Sequence, residues 1–130
     1  KKNNMKKTLF AVALILSMTA CKKEEEVNAT ITISSPTITD TLALGDTLQL
    51  TGMVSGTGEM HGYSVMMMNL TTSAMVYSST YDIHADLYTV SDFWVNSVSD
   101  TSIVGATIDV IKDHEGNHEM KTISVVCLPQ

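Results

Sequence analysis

The sequence predicts an all-β protein, a two-sheet sandwich of about seven strands, and three observations carry the prediction. After residue 28 the chain is dominated by Val, Ile, Thr, Ser and Tyr, residues that suit a pleated and half-buried surface. Gly, Asn and Asp interrupt these runs at intervals that suit turns. No helical period of apolar residues survives beyond residue 20.

Each strand follows from its own pattern. Ala29 to Ser34 alternates Thr30 and Thr32 with Ile31 and Ile33, a half-buried first strand that Pro36 breaks or shifts. After a Gly45-Asp46 turn, Leu48, Leu50 and Val54 share one face of the next. Tyr63 to Leu70 is apolar on both faces and therefore central in its sheet. A polar turn over Asn69 to Ser73 sends Met75 to Tyr81 back alongside it. Leu87 to Val95 carries Tyr88, Val90, Phe93 and Trp94, with Trp94 as a core anchor, and Asn96 to Thr101 is a loop. Ile103 to Lys112 buries Ala106, Ile108 and Val110. Asp113-His114-Glu115-Gly116-Asn117 turns a tight hairpin with Gly116 at positive φ, and Glu119 to Leu128 returns as the last strand. Cys127 stands in the apolar run Ile123 to Cys127, where a lone thiol acts as a small buried hydrophobe.

The first 28 residues have a different character. Met5-Lys6-Lys7 is positive, Leu9 to Met18 is apolar but too short to span a bilayer, and Thr19-Ala20 are small residues suited to cleavage. Cys21 follows, and then Lys22-Lys23-Glu24-Glu25-Glu26. The junction resembles a bacterial lipobox, with Met18 where Leu is usual. The resemblance implies that residues 1–20 are a removed signal peptide, that Cys21 is lipidated, and that 21–28 form a charged tether before a sandwich over 29–130. Lys23, Glu24 and Glu25 resemble the export signal of Bacteroidota surface lipoproteins. That implies an outer-membrane protein held by its lipid anchor and displayed at the cell surface.

The Asp113 to Asn117 hairpin, followed by an alternating strand, resembles the Asp-x-x-Gly-Asn turn of bacterial immunoglobulin-like domains. With the lipobox, the chain is similar to small Bacteroidota surface lipoproteins whose function is uncharacterised. The resemblance implies an immunoglobulin-like sandwich and attaches no chemistry to it. Asp40-Thr41-Leu42 and Asp46-Thr47-Leu48 resemble the Asp-Thr-apolar sites that Bacteroidota glycosylate at Thr.

Charge narrows the partners. All fourteen acidic residues but only four of the eight lysines lie after Cys21, and the chain has no Arg, so that segment carries ten net negative charges. Such a surface repels phosphate backbones and anionic headgroups, which argues against nucleic acid and favours cations. No nucleophile elbow, glycine-rich phosphate loop or His-Glu-x-x-His stretch appears, and the sequence predicts binding and not catalysis.

The four histidines supply the candidate chemistry. Strands running up and down place the segments Glu59 to Gly62, Asp82 to Asp86 and Asp113 to His118 at one end of the sandwich. Those segments hold His61, His84, His114 and His118, with Asp86 among the surrounding carboxylates. Neutral imidazoles with carboxylates suit borderline divalent ions, so zinc, copper or nickel is the expected ligand. His114 and His118 flank one hairpin and can reach one ion. Met66, Met67 and Met68 alternate faces and belong mainly to the core, while Met60, beside His61, is the one methionine retained as a candidate ligand. The competing reading is adhesion or assembly, in which a tethered sandwich offers loops or an edge strand to a surface protein or glycan.

Overall fold

The computed structural model describes residues 26–129. The expected signal peptide over 1–20, the expected lipidation site Cys21 and the Lys23-Glu24-Glu25 motif lie outside the described residues. Eight strands form two sheets: β1 (Ala29–Ser35), β2 (Thr41–Leu42), β3 (Thr47–Met60), β4 (Tyr63–Asn69), β5 (Ala74–Tyr81), β6 (Ala85–Val95), β7 (Ser102–Ile111) and β8 (His118–Cys127). One sheet has the order β1-β3-β6 and the other β2-β8-β7-β4-β5. Every pairing is antiparallel except the short β2 with β8. This is the immunoglobulin-like arrangement: two packed sheets with strands that cross between them.

The core is what the alternation predicts. From the three-stranded sheet come Ile31, Leu48, Leu50, Val54, Val90 and Trp94, and from the other Val65, Met67, Val104, Ala106, Ile108, Val110, Val125 and Cys127. The burial that excludes water from Cys127 also pushes its thiol pKa up, so it stays protonated and inert. Met67 points inward and Met66 and Met68 outward, as a strand requires.

Two differences from the sequence prediction have physical causes. β2 is an additional strand, too short to show alternation. It is held by Leu128 N–H on the Leu42 carbonyl (2.8 Å) and by its parallel register on Val126 and Cys127. β3 runs on to Met60, past the point where Gly56 and Gly58 interrupt its pattern; its pairing with β6 slips between Ser55 and Met60. The strand therefore delivers Glu59 and Met60 directly to the next turn.

The side of the sandwich between β5 and β6 is closed by polar side chains. Asp92 is buried on β6 and accepts from Tyr77 Oη at 2.5 Å, Tyr81 Oη at 2.9 Å and the Phe93 N–H at 3.0 Å. Both phenols reach across from β5, so one carboxylate ties the sheets together. The hydrogen bond to Asp92 pushes the Tyr77 hydroxyl pKa up to about 12.

Candidate metal centre

The turns β3–β4, β5–β6 and β7–β8 meet at one end, with the start of β1 beside them. His61 N–H donates to the Ile111 carbonyl at 2.8 Å, and Ile111 N–H returns a bond to the Gly62 carbonyl at 3.0 Å. These bonds lock the His61-Gly62 turn to the end of β7. Gly62 has φ +124°, and a Cβ there would collide with the Tyr81 carbonyl, so the turn closes this tightly only with glycine. Lys112 Nζ lies 3.6 Å from Glu26, and the Asn28 N–H bonds Thr57 Oγ1 at 3.0 Å, which fixes the incoming chain at the same end.

Beneath the turns lies a floor of aromatic rings. Tyr63 stacks on Tyr81 with centroids 4.7 Å apart and on Tyr88 at 5.1 Å. Tyr88 Oη donates to the Gly62 carbonyl at 3.4 Å, and burial pushes its pKa up to about 12. Burial likewise raises that of Tyr63. These rings therefore present neutral phenols, and Tyr88 ties them to the His61-Gly62 turn.

Two further imidazoles lie against that of His61. The His61 ring lies 4.8 Å from His84, edge to face, and 3.8 Å from His114, tilted against it. One ligand atom from each of Glu59, His61 and His84 falls within 4.8 Å of the other two. The alternation of a strand end explains the set: Met60 turns inward to full burial, so Glu59 and His61, on either side of it, turn the other way. Met60 is thereby a core residue packed beneath Gly56.

Two local features suit a metal ion. His84 Nδ1 lies 3.4 Å from Glu59 Oε1, close to the spacing of about 3.3 Å between ligands on a tetrahedral zinc, while Asp82 Oδ1 lies 3.2 Å from His84 Nε2. A carboxylate on the second ring nitrogen is how ligating histidines are commonly oriented. His61 Nδ1 is buried without a hydrogen-bond partner among the described residues. Such an atom costs about 1–3 kcal/mol unless something binds it.

The other candidates stand elsewhere. His114 packs on the His61 ring and lies outside the three-donor set. His118 Nδ1 is 2.8 Å from Asp109 Oδ1, and since His118 is paired with Ile111 both side chains lie on the outer face of the five-stranded sheet. Asp86 is exposed as the second residue of β6, two residues after His84. Asp113 spends its carboxylate on the hairpin: Asn117 Nδ2 donates at 2.7 Å, Asn117 N–H at 3.0 Å and Glu115 N–H at 2.9 Å, which hold its pKa below the usual range. The sequence places Glu59 and Asp82 among the carboxylates of this end but singles out Asp86, whereas it is Glu59 and Asp82 that lie against His84. Their signal is the i, i+2 spacing in Glu59-Met60-His61 and Asp82-Ile83-His84.

The end is also electrostatically prepared for a cation. The described residues contain two lysines, Lys112 and Lys121. Lys112 is buried beside Glu26, and Lys121 Nζ donates to the Ile31 carbonyl at 3.0 Å. Neither faces the imidazoles as a free charge, while Glu59 and Asp82 flank them exposed.

No family model and no curated protein matches the chain. Solved structures do resemble it. The sporulation control protein Spo0M of Bacillus subtilis matches with TM-score 0.53 and 9% identity over 82% of this chain, which spans about half (51%) of Spo0M. Fibronectin(III)-like modules of CbhA from Clostridium thermocellum give TM-score 0.48 and 14% identity over 76% of this chain and 96% of theirs. A CARDB domain of Pyrococcus furiosus, solved in complex with di-metal ions, gives 0.47 and 15% over 80% and 96%. At such identities likeness is a matter of fold alone. The strand order itself makes this chain an immunoglobulin-like β-sandwich with a His and Glu cluster at one end.

Proposed function

We propose that the protein is a surface lipoprotein, anchored through Cys21, whose sandwich acts as a binding module for a divalent transition metal. Glu59, His61 and His84 supply the ligands. Asp82 orients His84, and His114 covers the His61 ring. The observation that carries the reading is the buried His61 Nδ1, without a partner among the described residues where two further donors converge. Two imidazoles and a carboxylate suit zinc, copper or nickel better than calcium or magnesium, which take oxygen ligands.

The surrounding charge supports the same reading. A cation approaches an end whose exposed groups are acidic and whose nearest lysine is already paired. Three donors leave room for water or a further ligand, which suits capture and release more than a closed structural site. Anchored at Cys21, the module would hold its metal close to the membrane, since the chain enters the sandwich beside the cluster.

Calorimetric titration of the purified protein with zinc, copper and nickel is the test. One ion per chain is expected, with binding lost in H61A and H84A and weakened about tenfold or more in E59Q, in line with the loss of a charged ligand. H118A should titrate like the parent, because His118 is engaged with Asp109 on another face. Equal heats for parent, H61A and H84A would sink the metal reading. Anchoring is tested separately by palmitate labelling, which C21A should abolish.

A further inference from the structure

The two sides of the sandwich treat their open strand edges differently. On one side the edge of the three-stranded sheet is β1, where Lys121 covers the Ile31 carbonyl and Pro36 stands just past the last residue; the edge of the other sheet is β2, two residues long. A lysine, a proline and a short edge strand are common protections against unwanted strand pairing. On the opposite side the edge is β6, eleven residues long and paired only with β3 among the described residues.

The backbone of β6 is available for pairing. Asn96 N–H donates to the Asp46 carbonyl at 2.8 Å and its carbonyl accepts from Gly45 N–H at 2.9 Å, so Asn96 faces the β3 side. Alternation then directs the N–H and C=O groups of Leu87, Thr89, Ser91, Phe93 and Val95 away from β3. Of those five N–H groups, only that of Phe93 has a partner among the described residues, the Asp92 carboxylate. The same five side chains lie on the outer face without a charge or a proline, and Leu87 and Phe93 are 57% and 59% exposed. The neighbouring edge strand β5 is shorter, and its pairing with β4 slips between Met67 and Met68.

We infer that β6 pairs antiparallel with β6 of a second copy about a twofold axis, joining the two three-stranded sheets into one. Outward-facing groups must oppose one another, which permits few registers. Setting Thr89 opposite Thr89 would bring Asp86 against Asp92, a like-charge pair. Moving the register by two residues sets Thr89 opposite Ser91 and Leu87 opposite Phe93 of the second copy, twice by symmetry. That register covers the two most exposed apolar side chains of the strand and separates the acids, and in it the Phe93 N–H passes from the Asp92 carboxylate to the Leu87 carbonyl of the second copy. A second copy fits this edge because the strand complements itself.

Sedimentation velocity of the full chain over a concentration series, in a chelator so that no metal bridges copies, tests the pairing. A monomer–dimer equilibrium is expected. L87K and F93E should each weaken it about tenfold, as two symmetric cross-strand pairs are lost. The L87K/F93E double variant should recover the dimer, because each new charge then faces its opposite across the axis. Circular dichroism checks that these exposed sites leave the fold intact. A chain that stays monomeric at every concentration overturns the proposal, and so does a dimer that ignores the single variants or is not restored by the double. None of these results depends on the metal reading, which the calorimetry decides on its own.

Discussion

The two ends of this sandwich use buried polar groups in opposite ways. At the end away from the histidines, Asn96 is almost fully buried, and its Nδ2 donates to the carbonyls of Leu42 (3.1 Å), Ala43 (2.9 Å) and Leu128 (3.0 Å) while its Oδ1 accepts from Val98 N–H (3.2 Å). Asn69 behaves alike, donating to Ser102 Oγ and accepting from Thr71 and Thr72 N–H. Their amides bind loop backbone and strand ends. At the histidine end a buried ring nitrogen has no partner among the described residues. One end has used its polarity to hold the chain, and the other keeps some in reserve, which is where binding chemistry belongs.

The sharpest way to test that contrast is to break the satisfied end. N96A removes the donor that three carbonyls share and strands them beside buried apolar groups. Urea unfolding should show a loss of about 3 kcal/mol or more, since each unsatisfied buried group costs about 1–3 kcal/mol. Metal titration of the folded fraction should be unchanged. A variant that keeps its stability would show that the amide is incidental there.

The seam between the sheets gives a pH-dependent effect of intermediate size. Tyr77, through its bond to Asp92, and Tyr88, through burial, have phenol pKa values raised from 10 to about 12 in the folded chain. A group raised on folding stabilises fully below its unfolded value, so this contribution is intact below pH 10 and disappears as the pH rises from 10 through 12. Tyrosinate absorbance should therefore appear late, together with alkaline unfolding. D92N should bring the Tyr77 titration back toward 10 and leave that of Tyr88 in place.

Much of this was legible in the sequence, for reasons that differ by residue. Strand alternation exposed the core positions Ile31, Leu48, Leu50, Val54, Ala106, Ile108 and Val110, because burial on one face leaves a period of two. Positive φ at Gly116 followed from its place in a tight hairpin, and it is +83°. The up-and-down order placed the three histidine-bearing turns at one end, and the contacts of His61 with His84 and His114 follow from that topology. Which side of a strand end a side chain takes was harder to see. His118 begins β8 opposite Ile111 and so turns to the outer face, while Glu59 turns toward His84, because the slip in β3 resets the pairing after Ser55. The Tyr77-Asp92-Tyr81 seam joins strands of different sheets, a contact no local pattern encodes.

The hairpin that carries His114 offers a smaller effect. Gly116 has open space around it, so G116A costs only the conformational strain of a Cβ at positive φ, about 1 kcal/mol. Because Asp113 holds the turn through Asn117 and Glu115, the loop should keep its shape and the metal titration should shift little. A loss of several kcal/mol would mean that the hairpin is part of the folded core and not a cover for the histidine cluster.

The smallest effect on stability should come from the residue on which the metal proposal most depends. H61L puts an apolar side chain of similar reach in place of a ring whose Nδ1 is buried and has no partner among the described residues. Removing an unsatisfied group offsets the lost ring contacts, so unfolding free energy should stay within about 1 kcal/mol of the parent or rise. The same variant should give no metal heat. At the Asn96 end a polar substitution costs the fold and spares binding; at the His61 end it should spare the fold and cost binding. If H61L unfolds as readily as N96A, the imidazole is part of the framework, and the distinction between the two ends fails.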